Sequence, residues 1–151
     1  MRDPSPVAIL LFALSSSRLG SQELLQRELA YKGCYALTAA GLPRQIEFTI
    51  VPKKDAEGHL SGGSTRPIWR LVRIIQPAEP HLYGGSWGWR LVRDGHVEML
   101  WNVHFGHTDI TLNGGPKVLV GTAKYTSDDF SVSPAVPIRA ERIACGTPSP
   151  Q

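Results

Sequence analysis

The sequence predicts an all-β fold, an eight-stranded antiparallel up-and-down barrel preceded by a short helix. The chain has 151 residues, of which 42% are hydrophobic and 19% charged, a size and composition typical of one globular domain. Its 12 prolines and 15 glycines separate short apolar runs, as turns separate strands. Most of these runs alternate apolar and polar residues, which is the pattern of a strand with one buried face.

Residues 1–21 have the features of a secretory signal peptide. Arg2 precedes the apolar block Val7–Leu14, and the small residues Ser15–Ser17 follow it. This order of charged head, apolar centre and small residues is typical of a signal peptide. The block is too short for a transmembrane helix, which needs about 20 residues. A buried core helix or an amino-terminal strand is the alternative. We therefore expect a secreted or periplasmic protein.

A short helix is predicted over residues 22–32. Gln22–Lys32 lacks proline and glycine, and Gly33 follows it at the position where helices commonly end. Helical spacing places three leucines in one apolar stripe. The leucines are Leu24, Leu25 and Leu29.

The barrel domain is predicted over residues 33–145, with residues 146–151 as a tail. Eight candidate strands alternate with turn-rich stretches, of which the polar loop Pro52–Arg66 is the longest. The candidate strands are Cys34–Thr38, Gln45–Val51, Ile68–Ile75, Ser86–Val92, His96–Val103, Asp109–Leu112, Val118–Tyr125 and Ala135–Ile143.

The pairing register can be predicted for one hairpin, whose strands are joined by the loop Arg93–Gly95. A two-residue turn would mix apolar and polar side chains on each face of the strand pair. A three-residue loop, with Gly95 at positive φ in a β-bulge, shifts the register by one residue and separates the faces. Arg90 then lies opposite Glu98 on the polar face. The apolar face pairs Trp87 with Trp101, Trp89 with Met99, and Leu91 with Val97.

The two cysteines bear on how the sheet closes. Cys34 begins the first strand and Cys145 follows the last, and no other cysteine is present. In an up-and-down barrel with an even number of strands, these two positions are neighbours, so a disulfide can join them. In an exported protein we expect that bond, while two buried free thiols are the alternative. A β-sandwich could also bring the cysteines together, and it stays open as the alternative fold.

Aromatic residues dominate the face predicted to point into the barrel. An eight-stranded barrel can be filled by its own side chains or can hold one small ligand, and the sequence leaves both open. The inward positions are Phe48, Ile50, Trp87, Trp89, Leu91, Val97, Met99, Trp101, Ile110 and Leu112. From these we select as ligand-binding candidates Phe48, Trp87, Trp89, Met99 and Trp101.

The segment Gly33–Tyr35, which opens the first strand after a short helix, resembles the Gly-x-Trp start of lipocalin-type barrels, with Tyr35 where that family has Trp. Residues 33–145, from this segment to the final Arg142–Cys145, are also similar to small secreted bacterial β-barrel proteins. The resemblance implies that Arg139 or Arg142 packs over the ring of Tyr35. It also implies that the barrel binds a small apolar ligand.

Catalytic, metal and cofactor motifs give little signal. There is no Gly-x-Ser-x-Gly segment, and the adjacent carboxylates Asp128 and Asp129 point apart if they lie in a strand or turn. His104 and His107 are the only close histidine pair, and no cysteine or matched carboxylate completes a metal site. We therefore predict a protein that is not an enzyme and has no cofactor or metal.

The charge limits the possible partners. Sixteen Lys and Arg against 13 Asp and Glu give a net charge of +3, which is too small to indicate a nucleic-acid binder. No segment predicts stable membrane insertion, and the oligomeric state stays open. The sequence thus predicts a non-catalytic secreted β-barrel that binds a small apolar or aromatic ligand. A structural or interaction domain of the cell envelope, with a filled core, is the alternative.

Overall fold

The computed structural model describes residues 22–39, 41–54, 60, 68–76, 86–103 and 105–146. Helix α1 covers residues 22–31. The predicted signal peptide, residues 1–21, and the tail beyond residue 146 lie outside the described residues. The strands are β1 (Gly33–Thr38), β2 (Gln45–Pro52), β3 (Arg70–Gln76), β4 (Ser86–Arg93), β5 (His96–Val103), β6 (Gly106–Gly115), β7 (Val118–Ser127) and β8 (Val136–Ile143).

The eight strands form one closed antiparallel barrel. Each strand pairs with the next along the chain, and β8 pairs with β1 from Cys34 opposite Ile143 to Thr38 opposite Arg139. The predicted up-and-down barrel is confirmed, and the alternative of a β-sandwich is wrong. Closure leaves no edge strand in the sheet, so every strand finds hydrogen-bond partners on both sides.

A disulfide joins the first strand to the residues after the last. Cys34 and Cys145 are bonded, and their Cα atoms lie 5.2 Å apart. The start of β1 and the end of β8 are neighbours because the strand count is even, as the sequence analysis expected. The predicted pairing is therefore confirmed.

The β4–β5 hairpin has the predicted register. Trp89 lies opposite Met99, and Leu91 lies opposite Val97. Gly95 has the predicted positive φ, +74°, a conformation that glycine adopts without steric cost. The predicted three-residue loop is wrong in detail, because Arg93 still pairs with His96 and the register shifts between Leu91 and Arg93 instead.

Some strands differ in length from the prediction. β6 runs over Gly106–Gly115 rather than the predicted Asp109–Leu112. It is longer because tight turns at both of its ends let the pairing with β5 and β7 continue up to the turns. β3 begins at Arg70, two residues later than predicted.

The predicted leucine stripe of α1 is partly buried, since Leu24 and Leu29 are half-buried while Leu25 is 37% exposed. The most buried residues of the helix are Glu28 and Tyr31, at 0% and 6% exposure. Polar contacts from α1 to the strands therefore contribute to its docking together with the apolar side chains. These contacts place α1 across one end of the barrel.

We expect removal of the disulfide to destabilise the barrel without changing its fold. The double variant Cys34→Ala/Cys145→Ala should lose about 4 kcal/mol of unfolding free energy, since the bond closes a loop of 111 residues in the unfolded chain. Denaturant titration would measure the loss. Wild-type protein reduced with a thiol serves as the control and should show a similar loss. A loss below about 1 kcal/mol in both samples would contradict the expectation.

Gly121 should tolerate no side chain, because the neighbouring strand approaches it closely. A Cβ there would overlap the carbonyl oxygen of Thr111 on β6, whereas a Cβ at Gly115 would meet no atom within 4 Å. We expect Gly121→Ala to lower the unfolding free energy by about 3 kcal/mol or more and Gly115→Ala to change it by less than about 1 kcal/mol. Equal effects of the two variants on thermal unfolding would refute this account.

Candidate functional site

Helix α1 closes one end of the barrel through hydrogen bonds to the ends of the strands. The Arg142 guanidinium donates to the carbonyl oxygens of Ala30 (2.7 Å) and Lys32 (2.5 Å), at the carboxyl end of α1. The Tyr31 hydroxyl donates to the Gly114 carbonyl (3.2 Å) and accepts from the Gly95 backbone N–H (3.0 Å). The turns of two hairpins are thereby tied to the helix, and we name this end of the barrel the helix end.

Two buried polar side chains complete the helix end. The Arg70 guanidinium donates to Glu28 Oε2 from Nη2 (2.7 Å) and Nε (3.1 Å), and Glu28 is fully buried. The Tyr35 hydroxyl lies 2.8 Å from the Tyr31 carbonyl and 3.0 Å from the Pro116 carbonyl. Burial raises the pKa of Tyr35 to about 12, although the nearby charge of Arg142 acts in the opposite direction.

Aromatic rings fill the middle of the barrel. The rings of Phe48 and Trp89 stack with centroids 4.7 Å apart, and Tyr35 packs against Phe48 at 4.8 Å. Trp89 Nε1 donates to the Thr49 carbonyl (2.8 Å), so its one polar group is satisfied. Phe48 and Trp89 are fully buried, and Met99 is 1% exposed. This part of the interior is a packed core.

A cavity of about 310 Å³ lies at the other end of the barrel, which we name the mouth. The lining comes from the β1–β2 loop, from inward positions of β5, β6 and β7, and from the segment that leads into β8. We call this space the mouth cavity, and its lining is Ala39, Gly41, Leu42, Trp101, Thr108, Ala123, Tyr125, Ser133 and Val136.

Of the five predicted ligand-binding residues, Trp101 alone belongs to this lining. Trp87 stacks on Trp101 with ring centroids 4.7 Å apart and so stands behind it. Phe48, Trp89 and Met99 lie in the packed core. The prediction favoured the largest inward side chains, but large side chains fill space. A cavity is indicated instead by small inward residues in the half of the barrel nearer the mouth, such as Ala123, because they leave space unfilled.

None of the nine described residues that line the mouth cavity carries a charge. They are apolar except for the hydroxyls of Thr108, Tyr125 and Ser133 and the indole N–H of Trp101. The Tyr125 hydroxyl donates to the Phe105 carbonyl (2.8 Å), and the Ser133 hydroxyl accepts from the Tyr125 backbone N–H (3.0 Å). Such a site suits an apolar molecule and does not compensate a buried charge.

Exposed apolar side chains lie on two connections at the mouth. Phe105, in the β5–β6 turn, is 76% exposed, and Phe130, in the β7–β8 loop, is 86% exposed and has φ of +64°. The two connections touch, because the Asp128 backbone N–H donates to the Phe105 carbonyl (3.2 Å). The β7–β8 loop also contains Asp129, whose carboxylate accepts a hydrogen bond from the Ser127 hydroxyl. This bond stabilises the ionised form and lowers the pKa of Asp129 to about 2.

The described histidines make no metal site. His96 Nδ1 lies 2.8 Å from Asn113 Oδ1, and His107 Nε2 lies 3.1 Å from Asp109 Oδ2. Within the described part of the chain, no three His, Cys, Asp or Glu residues are grouped so that they could hold a metal ion. His104, the other member of the predicted pair, lies outside the described residues. No helix in the described ranges has both the length and the apolar character that a membrane span requires.

Comparison of the chain with protein-family models, with curated proteins and with solved structures found no match. The resemblance to lipocalin-type barrels therefore stays a prediction from the sequence. Any function has to be inferred from the geometry of the barrel itself.

A buried lysine lies on the outer face of the barrel. Lys53 is 8% exposed, and its Cδ would lie 2.9 Å from a Cβ at Gly88, so the missing side chain of Gly88 makes room for it. Trp69 packs beside it, and the guanidinium of Arg90 covers the Trp69 ring at 4.5 Å from its centroid. No carboxylate of a described residue pairs with Lys53. Desolvation therefore lowers the pKa of its ammonium group.

We expect this lysine to make stability rise with pH in the mildly alkaline range. Between the lowered folded pKa and the ordinary value of 10.5, the unfolded chain binds more protons at Lys53 than the folded one, so unfolding free energy increases with pH. Tyr35 acts oppositely only above about pH 10. Denaturant titrations from pH 7 to 10, below the range in which Tyr35 acts, should show the rise in wild type and a smaller one in Lys53→Met. The matched control is Lys54→Met, at an exposed position; a wild-type slope kept in Lys53→Met would refute the expectation.

Proposed function

We propose that the protein is a non-catalytic secreted binding protein that holds a small apolar or aromatic ligand in the mouth cavity. The observation that carries this proposal is a cavity of about 310 Å³ whose described lining residues are uncharged and include two aromatic side chains, at the end of the barrel opposite to α1. Pockets for small molecules typically have volumes of about 300–1,000 Å³ and mostly apolar walls.

The two ends of the barrel differ, and the difference supports entry of a ligand through the mouth. At the helix end, α1 and the ion pair of Glu28 with Arg70 cover the interior. The packed rings of Phe48 and Trp89 fill the core and do not belong to the described lining of the mouth cavity. A ligand would therefore enter through the mouth and rest against Trp101 and the inward side chains beside it.

Export is supported by the disulfide. A bond between Cys34 and Cys145 persists in oxidising compartments and is rare in the cytosol. It agrees with the expectation that residues 1–21 are a signal peptide. Secretion and ligand binding together are the combination that the lipocalin resemblance implies.

The second candidate is an interaction domain with a filled core. The exposed Phe105 and Phe130 favour it, because large aromatic side chains in water often mark a contact surface. In that case the mouth cavity would have no ligand, and the two phenylalanines would be covered by a partner.

A binding experiment separates the two candidates. We expect N-phenyl-1-naphthylamine, a neutral apolar fluorophore, to bind the disulfide-bonded protein saturably with one site per chain. Ala123→Phe places a ring in the mouth cavity and should weaken binding at least 10-fold, whereas Lys124→Phe adds the same ring at the next, exposed position of β7 and should leave binding unchanged. Circular dichroism would verify the fold of both variants. Binding that is absent, or equally affected by both variants, would overturn the proposal.

A further inference from the structure

The inner wall of the mouth cavity contains a row of three side chains on neighbouring strands. Thr108 on β6 lies opposite Trp101 on β5 and opposite Tyr125 on β7. Directly opposed residues on antiparallel strands present their side chains on the same face, about 5 Å apart. The Thr108 hydroxyl is therefore flanked by two aromatic side chains that line the same cavity.

Within the described part of the chain, the Thr108 hydroxyl makes no hydrogen bond. The residue is nevertheless buried, at 6% exposure. The other two hydroxyls of the lining, those of Tyr125 and Ser133, bond to the protein itself. Its oxygen is not one of the fully buried side-chain atoms that lack a partner, so the hydroxyl opens onto the mouth cavity. A molecule in the cavity can therefore form a hydrogen bond with it, in place of water.

Packing alone does not account for a threonine at this position. The next inward positions along β6 are Ile110 and Leu112, both buried and apolar. Valine has the shape of threonine and would continue this apolar row without introducing a polar group. The hydroxyl is thus a feature of the cavity rather than of the core.

This inference rests on the proposed function. We propose that the ligand is an electrically neutral aromatic compound with one hydroxyl or carbonyl oxygen, and that this oxygen forms a hydrogen bond with the Thr108 hydroxyl. A threonine hydroxyl both donates and accepts, so it can pair with either group. The ring of the ligand would lie between Trp101 and Tyr125. An ionised ligand is disfavoured because none of the described lining residues carries a charge to compensate it.

Three probes of one shape test the proposal: naphthalene, 2-naphthol and the anion 2-naphthoate. Isothermal titration calorimetry at pH 7, where 2-naphthol is neutral, would measure their affinities for the disulfide-bonded protein. We expect wild type to bind 2-naphthol about 5- to 10-fold more tightly than naphthalene, the gain typical of one neutral hydrogen bond. We expect 2-naphthoate to bind at least 10-fold more weakly than 2-naphthol.

Variants of Thr108 test whether its hydroxyl causes the preference for 2-naphthol over naphthalene. Thr108→Val should reduce 2-naphthol affinity to that of naphthalene and leave naphthalene unchanged, while Thr108→Ser should retain the preference. The matched control is Thr122→Val, at an exposed position of β7, which should behave as wild type. Equal binding of naphthalene and 2-naphthol by wild type, a preference kept in Thr108→Val, or tight binding of 2-naphthoate would overturn this inference and leave the proposed function intact. If no probe binds wild type, the proposed function fails as well.

Discussion

The pairing of β1 with β8 is the constraint on which the rest of the structure depends. If those strands did not pair, both would be open edges with unsatisfied backbone groups, and the inner face would be exposed to water. The disulfide secures this seam at the helix end. Helix α1 docks on the same seam, because Arg142 of β8, opposite Tyr35 of β1, holds the last carbonyl groups of α1. Closure of the sheet and docking of α1 thus depend on the same pair of strands.

The barrel could be predicted from the sequence because its neighbours in space are its neighbours along the chain. Alternating hydrophobicity gives the strands, and each turn then determines one pairing. The β4–β5 register followed from matching apolar faces and from Gly95, both local signals. Only the contact between β1 and β8 is distant in sequence, and the two cysteines indicated it.

The interior and the helix could not be predicted in the same way. Glu28 is buried because Arg70, 42 residues away, reaches it, and no local pattern announces that pair. Likewise, Tyr31 bonds to turns that only the closed barrel brings together. Whether the space inside the barrel is filled or empty depends on the combined volumes of inward side chains from several strands. The size of Phe48 and Trp89 indicated their burial but not that they would lie beneath the cavity rather than around it.

The filled half of the barrel makes the hollow half a better binding site. A cavity wall that must be ordered on binding costs affinity, whereas a wall held by its own packing does not. Trp101 is held by its stack on the buried Trp87, and the Tyr125 hydroxyl by the Phe105 carbonyl. Both aromatic walls are therefore positioned before any ligand arrives, with Thr108 between them. The packed rings and the hydrogen bonds of the helix end do not involve the mouth residues, so small side chains such as Ala123 and the open hydroxyl of Thr108 leave those contacts intact.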